Sequence, residues 1–162
     1  LLVLDVDGVL TDGSLFISDN GHEVLKVFDS LDGHGIKLLL SVGIQIAIIT
    51  GRNSAMVSNR AKELGITHTY MAVKNKWDTL STLIQELKIP LHLVAAVGDD
   101  WPDLTILPKV GFAACPAQAH DEVKKRVHYI SSRSGGKGAV REICDLILKS
   151  QNHYERLLKE AL

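Results

Sequence analysis

The sequence has 162 residues, which suits one core of ordinary size, and we expect a single domain over residues 1–162. Its formal net charge of −1 offers no broad basic surface for nucleic acid or for an anionic membrane. Hydrophobic residues make up 46% of the chain, yet no run approaches the roughly 20 apolar residues that span a bilayer. Two cysteines cannot form a disulfide framework, which favours buried thiols and a cytoplasmic protein.

Short apolar runs alternate with helical patterns along the chain. The predicted strands cover residues 1–5, 44–50, 67–73, 93–98, 110–114 and 127–130. The predicted helices cover residues 33–41, 54–64, 76–87, 102–107 and 119–126, followed by one long closing helix over about residues 138–158. Strands that alternate with helices predict a mostly parallel sheet with helices on both faces. The expected fold class is therefore α/β, a three-layer Rossmann-like arrangement.

Residues 13–28 interrupt this alternation. Two strand-like runs, residues 15–17 and 24–27, flank the sequence Ser-Asp-Asn-Gly at residues 18–21. Asn-Gly between two such runs is a strong signal for a β-hairpin. We expect a hairpin to project just after the first strand, and no insertion is long enough to form a large cap domain.

Polar residues gather at the predicted strand ends. In a parallel α/β sheet, ligands bind beyond the carboxyl ends of the strands, so these side chains should share one edge. They are Asp5, Asp7, Thr50, Gly51, Arg52, Lys76, Asp99, Asp100 and Asp103. Five neighbouring carboxylates would repel one another strongly. Mg²⁺, which prefers oxygen ligands, would relieve that repulsion, so the sequence predicts a magnesium site.

These residue types suit the transfer of a phosphoryl group. Asp5, at the tip of the first strand, is expected to be the nucleophile, because a carboxylate can form an aspartyl-phosphate. Asp7 can protonate the leaving oxygen and then activate water. Lys76, the Thr50 hydroxyl and the backbone N–H of Gly51 are expected to bind phosphate oxygens.

Some neighbouring residues have two interpretations. Asp100 is either a helix cap or a supporting residue of the site, and Asp103 is either a metal ligand or a supporting group. Lys74 competes with Lys76 for the phosphate, although an exposed lysine is usually solvated surface.

Further along the chain, charged and glycine-rich segments are also ambiguous. Arg52, Lys137 and Arg141 suit a carboxylate of an acidic sugar, but each could equally form a surface or helix ion pair. Residues 135–138 could cradle an anion or act as a flexible entry to the last helix.

The strand-end groups resemble the four motifs of the haloacid dehalogenase superfamily. Residues 5–12, DVDGVLTD, resemble its first motif, and residues 49–52, ITGR, its second. Lys76 matches the third motif, and residues 98–103, GDDWPD, match the fourth. The resemblance implies that magnesium is held by the carboxylate of Asp5, the backbone carbonyl of Asp7 and the carboxylate of Asp99.

Three further features resemble one group of enzymes within this superfamily. The hairpin, the missing cap and the sequence GGKGAVRE at residues 135–142 are similar to the capless 3-deoxy-D-manno-octulosonate 8-phosphate phosphatases of lipopolysaccharide biosynthesis. The resemblance implies hydrolysis of that acidic sugar phosphate by a homotetramer in which the hairpin mediates assembly. Leu31 stands where many of those enzymes carry an arginine. A nine-carbon sialic-type sugar phosphate therefore stays open as a substrate.

Two interpretations without catalysis compete. A receiver-like phospho-acceptor usually has an adjacent acidic pair after its first strand, whereas this chain has Asp5 and Asp7 separated by one residue. A degenerate tetramerisation domain should lack Asp5 or Asp7, and both are present.

Overall fold

The computed structural model describes all 162 residues. Its strands are β1 (Leu2–Leu4), β2 (Phe16–Ile17), β3 (Glu23–Leu25), β4 (Ile46–Ile49), β5 (His68–Tyr70), β6 (Ala95–Val97), β7 (Phe112–Cys115) and β8 (Tyr129–Ile130). Its α-helices are α1 (Ser30–Ser41), α2 (Ala55–Leu64), α3 (Lys76–Leu87), α4 (Asp121–Lys124), α5 (Ala139–Ser150) and α6 (Tyr154–Ala161). Two 3₁₀ helices cover Leu91–Leu93 and Trp101–Thr105.

Six strands form one parallel sheet in the order β5-β4-β1-β6-β7-β8. The first strand of the chain lies inside this sheet, because Val3 pairs with Ala47 of β4 on one side and Ala96 of β6 on the other. The carboxyl ends of all six strands therefore meet at one edge, as the alternating pattern predicts.

Helices cover both faces of the sheet, so the arrangement has three layers. Leu2 and Leu4 of β1 pack in a buried cluster with residues of α1, α2 and α5, and Val3 packs in a second cluster with residues of α3. Alternate side chains of a strand point to opposite faces, and here both faces are apolar because both are covered. The α/β fold class is confirmed.

The strands β2 and β3 form a separate antiparallel hairpin. At its tip the N–H of Ser18 donates to the carbonyl of His22, and Gly21 takes a φ of +81°, which glycine adopts without strain. Only this hairpin lies between β1 and α1, so the predicted hairpin is confirmed. Its apolar side chains are about half exposed to solvent; they are Leu15, Phe16, Ile17, Val24, Leu25 and Val27.

The prediction of one long closing helix over residues 138–158 is wrong. The chain leaves the helix at Gln151, and Asn152 has a φ of +59°, a left-handed conformation that asparagine tolerates better than most residues. A second helix, α6, then returns Tyr154 and Leu157 to the core. The helix predicted at residues 102–107 is a 3₁₀ helix that begins one residue earlier and ends two residues earlier, at Trp101–Thr105. None of the helices combines the length and the apolar character needed to cross a membrane.

Candidate active site

The loop that follows β1 forms the floor of the site. The N–H of Asp5 donates to the carbonyl of Val97 at 3.1 Å, which fixes Asp5 at the carboxyl edge beside β6. Gly8 takes a φ of +89°, and a Cβ at this position would overlap the carboxylate of Asp99. Only glycine allows the two segments to approach so closely.

Lys76 enters the site from the first turn of α3. Its Nζ lies 2.6 Å from Asp5 Oδ1 and 2.6 Å from Asp103 Oδ1, and the residue is only 5% exposed. Burial lowers the pKa of Lys76, but the carboxylates of Asp5 and Asp103 raise it above its ordinary value overall. The ammonium therefore stays charged. Lys74, the competing lysine, is exposed.

Asp103 uses both of its carboxylate oxygens inside the protein. Oδ1 binds Lys76, and Oδ2 accepts hydrogen bonds from the backbone N–H groups of Asp99, at 2.9 Å, and Asp100, at 3.2 Å. Asp103 is buried, whereas Asp100 is exposed. The geometry favours a supporting role for Asp103, which orients the loop that carries Asp99.

The site concentrates negative charge in a buried space. One carboxylate oxygen from each of Asp5, Asp99 and Asp103 lies within 4.8 Å of the other two. Burial, followed by the charge of Asp103, raises the pKa of Asp5 to about 6. Burial, followed by the charges of Asp5 and Asp103, raises the pKa of Asp99 to about 7. A divalent cation bound by carboxylate oxygens would offset this repulsion. This cluster of carboxylates therefore fits a magnesium site.

Thr50 follows β4, which is the neighbour of β1 in the sheet. The residue is buried, and its backbone N–H donates to the carbonyl of Tyr70 at 3.0 Å. Its Oγ1 accepts a hydrogen bond from the N–H of Arg52 at 3.4 Å, and Gly51 between them is exposed. The structure thus brings Thr50 and Gly51 to the same edge as Asp5.

Arg52 faces the acidic groups of the site. Its Nε lies 3.7 Å from Asp7 Oδ2, and one of its terminal nitrogens lies 3.8 Å from Glu23 Oε1. These distances exceed hydrogen-bond length, and the side chain is 44% exposed. Arg52 is therefore held loosely at the mouth of the site.

Sequence reasoning missed Lys26, which reaches the site from the hairpin. Its Nζ donates a hydrogen bond to Asp7 Oδ1 and lies 2.8 Å from Glu23 Oε1. Burial lowers the pKa of Lys26, but its contacts with Asp7 and Glu23 raise it above its ordinary value. The one sequence feature that could have indicated this residue is a single lysine inside the apolar run of residues 24–27.

Gln118 is a second residue that the sequence did not indicate. Its Nε2 donates to the carbonyl of Gly8 at 2.7 Å, and its Oε1 accepts from the N–H of Gly135 at 2.9 Å. The N–H of Gly136 donates to the carbonyl of Val9 at 3.0 Å. Residues 135–138 therefore pack against the loop after β1, and Lys137 within them is exposed.

Asp32 joins the first helix to the start of α5. Its Oδ1 accepts the backbone N–H of Arg141 at 2.7 Å, while Oδ2 is buried without a partner. Burial, opposed mainly by the hydrogen bond from Arg141, raises the pKa of Asp32 to about 6. The Arg141 side chain pairs with Asp145 at 2.8 Å, which is the helix ion pair that sequence reasoning left open.

Comparisons with known proteins show the family of this chain. The sequence model of the haloacid dehalogenase-like hydrolases matches residues 72–143. The 3-deoxy-D-manno-octulosonate 8-phosphate phosphatase KdsC of Escherichia coli K12 is 46% identical over 162 residues, which cover 100% of this chain and 86% of that protein.

Two solved structures are also similar. The phosphatase of the same name from Moraxella catarrhalis, in complex with magnesium ion, phosphate ion and a KDO molecule, is 41% identical. Its TM-score is 0.96, and the match covers 99% of this chain and 92% of that one. The enzyme from Yersinia pestis is 41% identical with a TM-score of 0.92, over 95% of this chain and 83% of that one. The chain therefore belongs to the 3-deoxy-D-manno-octulosonate 8-phosphate phosphatase family of the haloacid dehalogenase-like hydrolases.

Proposed function

We propose that this protein is a magnesium-dependent phosphatase that hydrolyses 3-deoxy-D-manno-octulosonate 8-phosphate through an aspartyl-phosphate on Asp5, in lipopolysaccharide biosynthesis. The observation that carries the proposal is the contact of Lys76 with Asp5 beside Asp99, at the strand ends of a chain from this family. A buried cation beside a strand-tip carboxylate is what an anionic nucleophile needs to approach an anionic phosphate ester.

The donor set for magnesium consists of the carboxylates of Asp5 and Asp99 and the backbone carbonyl of Asp7. Bound there, magnesium supplies positive charge that neutralises a phosphate oxygen. Asp103 supports this set, because it holds the backbone of Asp99 and Asp100 through Oδ2 and Lys76 through Oδ1.

The chain's own residues account for the two chemical steps. A carboxylate oxygen of Asp5 attacks phosphorus, the bond from phosphorus to the sugar oxygen breaks, and Asp7 gives its proton to that oxygen. Water then attacks the phosphorus of the aspartyl-phosphate, Asp7 takes a proton from the water, the bond from phosphorus to the Asp5 oxygen breaks, and phosphate leaves. Lys76, the hydroxyl of Thr50 and the N–H of Gly51 bind the phosphate oxygens during both steps.

The identity of the acidic sugar is the most specific part of the proposal. Arg52 at the mouth of the site and the exposed Lys137 are the candidate cations for its carboxylate. Leu31, which stands where many family members have arginine, is 51% exposed and contributes no charge. A nine-carbon sialic-type sugar 9-phosphate is therefore the competing substrate.

Phosphate release from purified protein tests the activity. The octulosonate 8-phosphate, a sialic-type 9-phosphate and a hexose phosphate are compared with magnesium and with EDTA. We expect magnesium-dependent release, fastest from the octulosonate, and its loss in Asp5→Asn. Release that persists in Asp5→Asn would contradict the aspartyl-phosphate, and a preference for the nine-carbon ester would change only the substrate.

We also propose that the hairpin assembles the chain into a homotetramer and that the enzyme works in the cytoplasm. The exposed apolar surface of β2 and β3 supports the assembly, and two buried free thiols agree with a reducing compartment. Phe16→Asp should reduce the mass measured by light scattering. Leu93→Asp, at another exposed apolar residue, is the control and should leave the mass unchanged.

A further inference from the structure

Lys26 carries a positive charge from the hairpin into the active site. Its side chain is only 1% exposed, although the adjacent residues Leu25 and Val27 are about half exposed. A buried ammonium is costly unless anionic groups surround it. Here the two partners are Asp7, through Oδ1, and Glu23, through Oε1 at 2.8 Å.

The two carboxylate oxygens of Asp7 are held differently. Oδ1 accepts a hydrogen bond from the buried Lys26. Oδ2 has only the long contact with Arg52 Nε at 3.7 Å, and that guanidinium is 44% exposed. The rotation of the Asp7 side chain is therefore fixed by Lys26 at one oxygen, while the other oxygen can exchange partners.

We propose that Lys26 is a positioning residue for proton transfer by Asp7. Lys26 holds Oδ1 and so leaves Oδ2 as the oxygen that protonates the sugar oxygen when its bond to phosphorus breaks. The same Oδ2 takes the proton from water when the water oxygen bonds to phosphorus and the bond from phosphorus to the Asp5 oxygen breaks. Glu23 secures Lys26 from the other side. This inference rests on the proposed function, in which Asp7 is the general acid and base.

The leaving group distinguishes positioning from general support of the fold. A sugar alkoxide leaves poorly without a proton, whereas 4-nitrophenolate leaves without one. General acid catalysis contributes about 10²- to 10⁴-fold, and a displacement of about 1 Å can remove about 10²-fold. A displaced Asp7 should therefore slow the first step for the sugar ester and spare the nitrophenyl ester.

The experiment compares single-turnover formation of the phosphoenzyme in wild type and Lys26→Met with both esters. We expect the rate for the octulosonate 8-phosphate to fall by about 10- to 100-fold, a part of the acid contribution. The rate for 4-nitrophenyl phosphate should change by less than about threefold. Lys62→Met, at an exposed lysine of α2, is the matched control and should change neither rate.

Equal losses with both esters, or no loss with the sugar ester, would overturn the positioning role. If Lys26→Met shows no cooperative melting transition, Lys26→Gln is measured with both esters in its place. The same loss with the sugar ester and the same small change with the nitrophenyl ester are expected. Failure of both variants to fold would assign Lys26 to the fold and would also overturn the inference. Because the wild-type reaction and Asp5→Asn test the phosphatase itself, failure of the proposed function is recognised separately.

Discussion

The ammonium of Lys76 lies 2.6 Å from Asp5 Oδ1, so a residue 71 positions along the chain neutralises the proposed nucleophile. Replacement of Lys76 by methionine should lower kcat by about 10²- to 10³-fold, the usual effect of removing one group that stabilises transition-state charge. Steady-state hydrolysis of the octulosonate ester with magnesium measures this loss.

Lys74→Met is the matched control, because Lys74 is exposed two residues earlier and should leave kcat within about twofold. Removing Lys76 also leaves the carboxylates of Asp5 and Asp103 without their cationic partner. Removing one partner of a buried ion pair costs about 3–5 kcal/mol of stability. Rates are therefore taken well below the melting temperature of the variant. Comparable losses in both variants would show that the lysine of the site has been misassigned.

Asp99 should destabilise the protein when no metal is bound. Burial and the neighbouring carboxylates raise its pKa to about 7 from an ordinary value of 3.8, so the ionised group opposes folding above pH 7. In EDTA at pH 8, Asp99→Asn should melt higher than wild type by about 2 °C or more, the shift that about 1 kcal/mol gives in a chain of this size.

With magnesium, wild type should instead melt at a higher temperature than Asp99→Asn. Binding to the folded state raises the melting temperature of wild type, whereas Asp99→Asn should gain little because it has lost a ligand. Scanning calorimetry with magnesium and with EDTA measures both effects. Asp100→Asn, at the exposed neighbour, should behave as wild type. A magnesium shift that survives in Asp99→Asn would remove Asp99 from the metal site.

Substitution of Gly135 tests whether its close packing against the loop after β1 supports the site. A Cβ there would overlap the carbonyl of Gly8, so alanine must push the loop after β1 away from its place. Gly135→Ala should weaken magnesium binding and lower kcat by about tenfold or more, because displacements of about 1 Å at a catalytic group are costly. Calorimetric titration with magnesium and steady-state rates measure the two effects.

Gly43→Ala separates this effect from a loss of stability. Gly43 has a φ of +83°, so alanine is strained there, but nothing lies within 4 Å of the new Cβ. We expect it to lower the melting temperature and to leave magnesium affinity unchanged. If the two variants affect magnesium alike, the contact between Gly135 and Gly8 has no role in the site.

The strand-end residues could be predicted because topology follows from local patterns. Once the strands are parallel, Asp5, Thr50 and Asp99 must reach the same edge, and the chemistry of their side chains identifies them. Gln118 could not be predicted in this way, because its contact with Gly8 spans 110 residues and an amide has no distinctive chemistry. The break at Asn152 was missed because the apolar period continues from α5 into α6.

Asp32 makes stability depend on pH in a direction opposite to that of a salt-bridged carboxylate. Burial, opposed mainly by the hydrogen bond from Arg141, raises its pKa to about 6 from an ordinary value of 3.8. Between about pH 4 and pH 6 the folded state therefore binds more protons at this group than the unfolded state does. Since stability falls with rising pH wherever the folded state binds more protons, ionised Asp32 destabilises the protein above pH 6.

Asp32→Asn removes this titration and keeps an oxygen for the N–H of Arg141. The free energy of unfolding of wild type relative to the variant should fall by up to about 3 kcal/mol as pH rises from 4 to 6. Urea unfolding of both proteins in EDTA at several pH values gives this difference, in which contributions from Asp5 and Asp99 cancel. Asp19→Asn, at an exposed aspartate of the hairpin turn, should show no such trend. A difference between wild type and Asp32→Asn that stays constant across this range would mean that the buried carboxyl titrates as it does in the unfolded chain.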